Sequence, residues 1–151
     1  MPAKFSVVQS KGGTLKDYLS ADYRELMNAI LLNDLITVKQ LLARGVSPND
    51  HDQGVESALI LAADEGLVEI VGELLSAGAE VNYEDETGKT PLICGASMSS
   101  GEIIRLCVEH GAEIHYQNCH GRNALDYVRD LADEHIVRLL ESLSETAEEP
   151  A

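Results

Sequence analysis

Gly45, Gly78 and Gly111 stand 33 residues apart. The same interval relates Ser57, Thr90 and Asn123, and also Leu26, Leu59, Leu92 and Leu125. Asp52, Asp85 and Asn118 follow it, as do Ala29, Ala62 and Gly95 and the pairs Leu41-Leu42, Leu74-Leu75 and Cys107-Val108. One offset reproduces glycines, apolar pairs and turn-forming polar residues together. Such a period restricts the chain to architectures in which each unit buries its apolar face against the next.

Each unit has a physical reading. Asp or Asn followed by Gly makes a turn, the first by bonding nearby backbone N–H groups and the second by tolerating positive φ. Thr90 is a good N-cap, and Pro91 then occupies the first helical position, where its missing N–H costs nothing. Leu92 and Ala96 begin a short helix, and the small residues Ala62, Ala63, Gly95 and Ala96 allow two short helices to approach closely. Ile70, Val71, Leu74 and Leu75 place an apolar stripe on the second helix. Gly78 ends that helix as a left-handed C-cap, a role that Gly45 and Gly111 repeat.

The stretches TGKTPL, EGLVEIVGELLSAGAEVN and SGEIIRLCVEHGAEIH resemble ankyrin repeats. NDLITVKQLLARGVSPND resembles a first repeat, and GRNALDYVRDLADEHIVRLLES a last one. The resemblance implies an all-α solenoid of about four stacked helix–turn–helix units, 22–51, 52–84, 85–117 and 118–143, with β-turn fingers on one side. The family's usual His after Thr-Pro-Leu is replaced by Ile60, Ile93 and Asp126, which removes the hydrogen bond that His makes in the turn. Gly66 has Asn33, Ser99 and Ala132 as counterparts, so the turn at 97–101 is expected to be looser than that of the second unit. Residues 1–21 fall outside the period; FSVV reads as extended, SKGG as a turn, and Leu15–Leu19 as the start of a capping segment. Residues 144–151 are expected to form an acidic disordered tail.

The net charge of −15 is uneven. Residues 1–50 carry six Lys/Arg and five Asp/Glu (net +1), and residues 51–151 carry five and 21 (net −16). Between Arg44 and Lys89 there are eleven acids and no Lys or Arg. A field of that sign repels phosphate backbones and anionic lipid and attracts a cationic partner. The charge is also compatible with a role in solubility alone. Cys94, Cys107 and Cys119 are odd in number and lack CxxC spacing, pointing to a reducing compartment rather than a disulfide framework. The N-terminus lacks an apolar h-region and no run is long enough to span a membrane, so a cytoplasmic location is expected.

Glu84-Asp85-Glu86 suggests a calcium loop, but YEDETGKTPLIC lacks the EF-hand register. His110, His115, Cys119 and His120 lie within eleven residues, yet their spacing does not match structural zinc sites. Each has a structural reading: His110 at a helix end, His115 in place of Asn82, and His120 before the turn Gly121. Cys119 and His120 are adjacent in sequence and so poorly placed as nucleophile and base. No phosphate loop, nucleophile elbow or HExxH motif is present. Neither catalysis nor a cofactor is therefore expected.

What remains is a protein-binding surface. In the solenoid that the resemblance implies, finger tips and the exposed face of each first helix line one concave side. The residues expected there are Tyr23, His51, Gln53, Glu56, Asp64, Glu65, Glu84, Glu86, Lys89, Met98, Gln117, His120 and Arg122, with Leu31 and Leu32 as further apolar anchors. Of the carboxylate run, only Asp85 is required by the repeat, which leaves Glu84 and Glu86 for recognition. The expected function is an adaptor, or an inhibitor or immunity-type protein, binding a basic protein partner and monomeric by itself. Short proteins of this family resemble bacterial ones. Two alternatives stand beside it: a scaffold or homo-oligomer whose acidity serves solubility, and a metal-dependent or enzymatic protein using Cys119, His115 and His120.

Overall fold

The computed structural model describes residues 20–51 and 56–148. The expected capping segment before residue 20, the turn residue Asp52 and the candidate Gln53 lie outside these. Among the described residues eight helices follow in order: α1 Ala21–Leu31, α2 Leu35–Ala43, α3 Ala58–Asp64, α4 Val68–Ser76, α5 Pro91–Ser97, α6 Gly101–Glu109, α7 Ala124–Leu131 and α8 Glu134–Glu148. They form four antiparallel pairs, and no strand occurs among the described residues. The expected all-α solenoid of helix pairs is what the chain adopts. Ser144–Glu148, expected to be disordered, instead continue α8 by one more turn.

The pairs stack in two layers, α1, α3, α5 and α7 in one and α2, α4, α6 and α8 in the other. The layering follows from composition. α3 and α5 are too short to be stable alone, and nearly all their residues are buried, Ala58 to Ala63 and Pro91 to Ala96. Helices apolar all round must lie inside, and flanking them on both sides is what the stack does. The second helices are amphipathic, burying Ile70, Val71, Leu74 and Leu75 in α4 and Ile103, Ile104 and Cys107 in α6. Gly95 has a specific steric reason: a Cβ there would meet Ile103 Cγ2 at 2.8 Å.

Helix ends follow the period closely. Ser57, Thr90 and Asn123 accept from the N–H groups of Ile60, Ile93 and Asp126 at 3.1, 3.2 and 3.1 Å. The missing family His therefore costs no cap, and Asp126 returns a bond to the Asn123 N–H at 3.0 Å. Asp34, Ser100 and Asp133 cap α2, α6 and α8 in the same way. The exception is α4, whose N-cap position holds Leu67 and makes no side-chain bond. An apolar N-cap forgoes about 1 kcal/mol relative to Ser or Asp.

The four interhelical turns share one geometry. Asn33, Gly66, Ser99 and Ala132 have φ of 52°, 72°, 52° and 56°. Ser99 and Ser100 donate to Ala96 and Gly95 at 3.0 and 2.9 Å, matching Gly66 and Leu67 donating to Ala63 and Ala62 at 3.0 and 2.9 Å. The turn at 97–101 is thus as tight as its counterpart, contrary to expectation. The stacked helices on either side impose the left-handed residue whether or not it is glycine, so the difference is one of strain. Ala132 has no side-chain means of easing that conformation. Ala132→Gly is expected to raise the unfolding free energy by about 1 kcal/mol. Gly78→Ala, at φ 91° with open space around it, is expected to lower it by a similar amount. Urea titration of both variants checks the pair.

Candidate functional site: the finger side

Two fingers are described in full, Tyr83–Thr90 and Tyr116–Asn123, and each is built around one buried polar residue. Asp85 Oδ1 accepts from Thr87 N (2.9 Å), Thr87 Oγ1 (2.7 Å) and Lys89 N (3.0 Å). Its backbone closes the turn by bonds from Asp85 N to Lys89 O and from Gly88 N to Asp85 O, both 3.0 Å. Asn118 does the same one period later, accepting from His120 N (3.0 Å) and Arg122 N (3.1 Å). These residues belong to the fold, as the repeat indicates.

The fingers also lock onto each other. Asn118 Nδ2 donates to Gly88 O at 2.6 Å, and His120 Nε2 donates to Thr87 O at 3.0 Å. A Cβ on Gly88, whose φ is 83°, would meet His120 Cδ2 at 2.8 Å and Cys119 Sγ at 3.1 Å. Glu84 spans the same gap. Its Oε2 accepts from Tyr116 Oη at 2.5 Å and its Oε1 from Cys119 N at 2.7 Å. Partial burial alone would raise the Glu84 pKa, but the Tyr116 hydroxyl and the Cys119 N–H outweigh it and hold the group below the usual carboxylate range.

Other expected surface residues are similarly engaged. Lys89 Nζ lies 2.8 Å from Asp64 Oδ2, tying the finger to the end of α3. Desolvation works against the Lys89 charge, and Asp64 more than offsets it, so its pKa stands above the ordinary value. Arg122 lies 4.2 Å over the Tyr127 ring, pairs with Asp130, and donates to Asp126 O at 3.1 Å. His51 packs between Tyr83, 4.3 Å away, and Tyr23, 6.3 Å away. Glu56 and Glu65 are half-buried, and Glu86, Gln117 and His120 are exposed. Met98 is 47% exposed.

Tyr23 requires a correction. It is fully buried, and its hydroxyl accepts the Ala58 N–H at 2.9 Å, at the first residue of α3. Burial drives its pKa well above the ordinary tyrosine value. A tyrosine in the first helix of the first unit looks exposed in sequence, but the α3 terminus supplies a donor that only a buried oxygen can satisfy. Glu84 and Lys89 likewise have structural partners that the repeat pattern does not reveal.

The residues of the catalytic and metal alternative are not brought together. Among the described residues no three His, Cys, Asp or Glu side chains converge as metal ligands. His115 Nε2 faces Ser144 Oγ at 2.5 Å, and His110 Nδ1 faces the Leu106 carbonyl at 2.9 Å. The Glu84 carboxylate pushes the exposed Cys119 thiol up, the opposite of what a thiolate nucleophile needs. Cys107 is buried and its thiol is pushed up to about 12.

The sequence reading missed a set of positions that join one repeat to the next. Asn49 donates from Nδ2 to Gly78 O and accepts from Glu80 N, both 2.9 Å. Asn82 repeats this with Gly111 O (3.1 Å) and Glu113 N (2.9 Å). Asn49, Asn82 and His115 are 33 apart, so the signal was present. No helix among the described residues is long and apolar enough to cross a membrane.

Because the Glu84 pKa is lowered on folding, its stabilisation is complete above the ordinary carboxylate pKa, near 4.3, and is lost as pH falls through the folded-state value. Glu84→Gln should flatten the fall in unfolding free energy between about pH 5 and pH 3. Urea titrations across that range check it, and an unchanged slope would show that Glu84 is not coupled to folding.

A family model described as ankyrin repeats (three copies) matches residues 26–118 and, in a second register, 59–146. No curated protein matches the chain significantly.

Proposed function

Because this chain belongs to the ankyrin-repeat family, whose repeats generally serve as protein–protein interaction modules, we propose that it binds a basic protein partner through its acidic finger side and catalyses no reaction. The observation that carries this reading is the charge of the second and third repeats. Eleven acids precede Lys89 without a single base after Arg44, and Lys89 itself is held by Asp64. Glu84 is satisfied by neutral donors, which fix its position and leave its negative charge in place. Glu56, Glu65 and Glu86 add to the same side, and His51, Gln53, Met98, Gln117, His120 and Arg122 complete the proposed surface.

Fingers locked to each other lose little conformational freedom on association, so more of the contact energy is available for binding. A dense anionic field speeds encounter with a cationic surface and disfavours anionic ones. A protein of this kind acts by recognition or masking, as an adaptor or an inhibitor in the cytoplasm. Affinity capture from the host should enrich a basic protein at about 50 mM salt and lose it near 500 mM, where the screening length is well under 10 Å. Glu65→Lys combined with Glu86→Lys should abolish that capture, and undiminished capture by the double variant would remove the finger side as the site.

A further inference from the structure

We propose that the basic partner presents an amphipathic helix, which lies lengthwise across the ends of the first helices with an apolar residue at every seventh position and Lys or Arg along one flank. This rests on the finger-side reading for the class of partner and adds the element by which that partner is held.

The position that ends each first helix holds Leu32, Glu65, Met98 and Leu131, 33 residues apart. Three of the four are apolar and open to solvent, Leu32 by 79%, Met98 by 47% and Leu131 by 52%. None of the three packs against the core, unlike the adjacent Leu31. A single exposed aliphatic side chain needs no explanation, but a row of them at one repeat position does. The row is also held in place from turn to turn. Met98 reaches back over the preceding repeat, where a Cβ on Gly66 would meet its Cε at 3.3 Å. Ser99 binds the Asp133 carboxylate of the following turn.

Spacing selects a helix as the occupant. Packed helices lie about 8–10 Å apart, so each repeat advances the row by that distance. A helix laid along the stack rises about 10.5 Å in seven residues and keeps one face toward every repeat. An extended segment covers about the same distance in three residues, and an odd step turns alternate side chains away. It could meet Leu32 and Met98 but would face away at Leu131. Glu65 is half-buried and engaged within the chain, so the helix carries a small residue over it.

Charge sets the flank. Across the turn, the second residues of α2, α4, α6 and α8 are Ile36, Glu69, Glu102 and His135, all exposed. Among the described residues no base forms an ion pair with Glu69 or Glu102. These two carboxylates, one repeat apart beside the apolar row, match two cationic side chains about seven residues apart on the helix. Ile36, 71% exposed, extends the apolar end at Leu32. A second copy of a chain with net charge −15 would bring like charge to Glu69 and Glu102.

The test uses the full chain and a fluorescent alanine-based peptide of about 24 residues, followed by anisotropy. The peptide carries leucine at every seventh position, with alanine kept over Glu65, and two lysines on the flank. Saturable binding is expected, with amide shift changes confined to residues 32–36, 65–69, 98–102 and 131–135. Leu32→Ser combined with Leu131→Ser should weaken binding about tenfold and leave thermal stability unchanged, because neither side chain joins the core. Glu69→Gln combined with Glu102→Gln should weaken binding and flatten its salt dependence. The proposal is overturned if a scrambled peptide of the same composition binds as tightly, if the shifts map to the fingers, or if the Leu32→Ser/Leu131→Ser chain binds like the native one. None of these outcomes bears on capture by the Glu65→Lys/Glu86→Lys chain, so the finger-side reading stands or falls separately.

Discussion

The Asn49 side chain donates to the Gly78 carbonyl and accepts from the Glu80 N–H, and Asn82 repeats both bonds one period later. Each amide thus spans from one repeat to the loop that ends the next, satisfying a carbonyl that the helix leaves open. These bridges hold the register of one repeat on the next, alongside the core that runs through all of them. Gly78 and Gly111 must end their helices at φ 91° and 93° for those carbonyls to point the right way. At the last repeat His115 takes the place of Asn, and Ser144, also 29 residues on, takes the place of the loop. The extra turn of α8 therefore has a function: without residues 144–148 the last bridge would have no far side.

The fingers are a second layer of the same logic. Asp85 and Asn118 shape each turn from within, while Glu84, Asn118 and His120 join one turn to the next. A charged group can serve recognition and structure together when its hydrogen bonds come from neutral donors. Glu84 meets that condition, since Tyr116 and Cys119 orient its carboxylate without neutralising it. Asp64 does not, because Lys89 cancels its charge at close range. Glu84 thus keeps its charge on the finger side, whereas that of Asp64 is offset.

The interhelical turns show where the repeat is not obeyed. At Leu67 and Ile36, where other repeats hold polar residues, the chain supplies aliphatic ones, and Leu67 packs against the core in exchange for its cap. At Ala132 the departure is one of backbone conformation, and it reads as tolerated strain.

By itself the sequence determined the period, and with it the helix pairs, the capping residues and the turn residues Asp85 and Asn118. These are local properties: a cap, a left-handed glycine or an apolar stripe depends on neighbours a few residues away, and a repeat states them several times over. Only the tertiary structure decided which side chains were free. Tyr23 is buried because the α3 terminus, 35 residues on, presents the Ala58 N–H to it. Glu84 is held by the next finger, Lys89 by the previous repeat, and Ser99 is made left-handed by the helices stacked around it. Each of those outcomes depends on a partner outside the residue's own turn, and a partner across a repeat interface has no local mark in the chain.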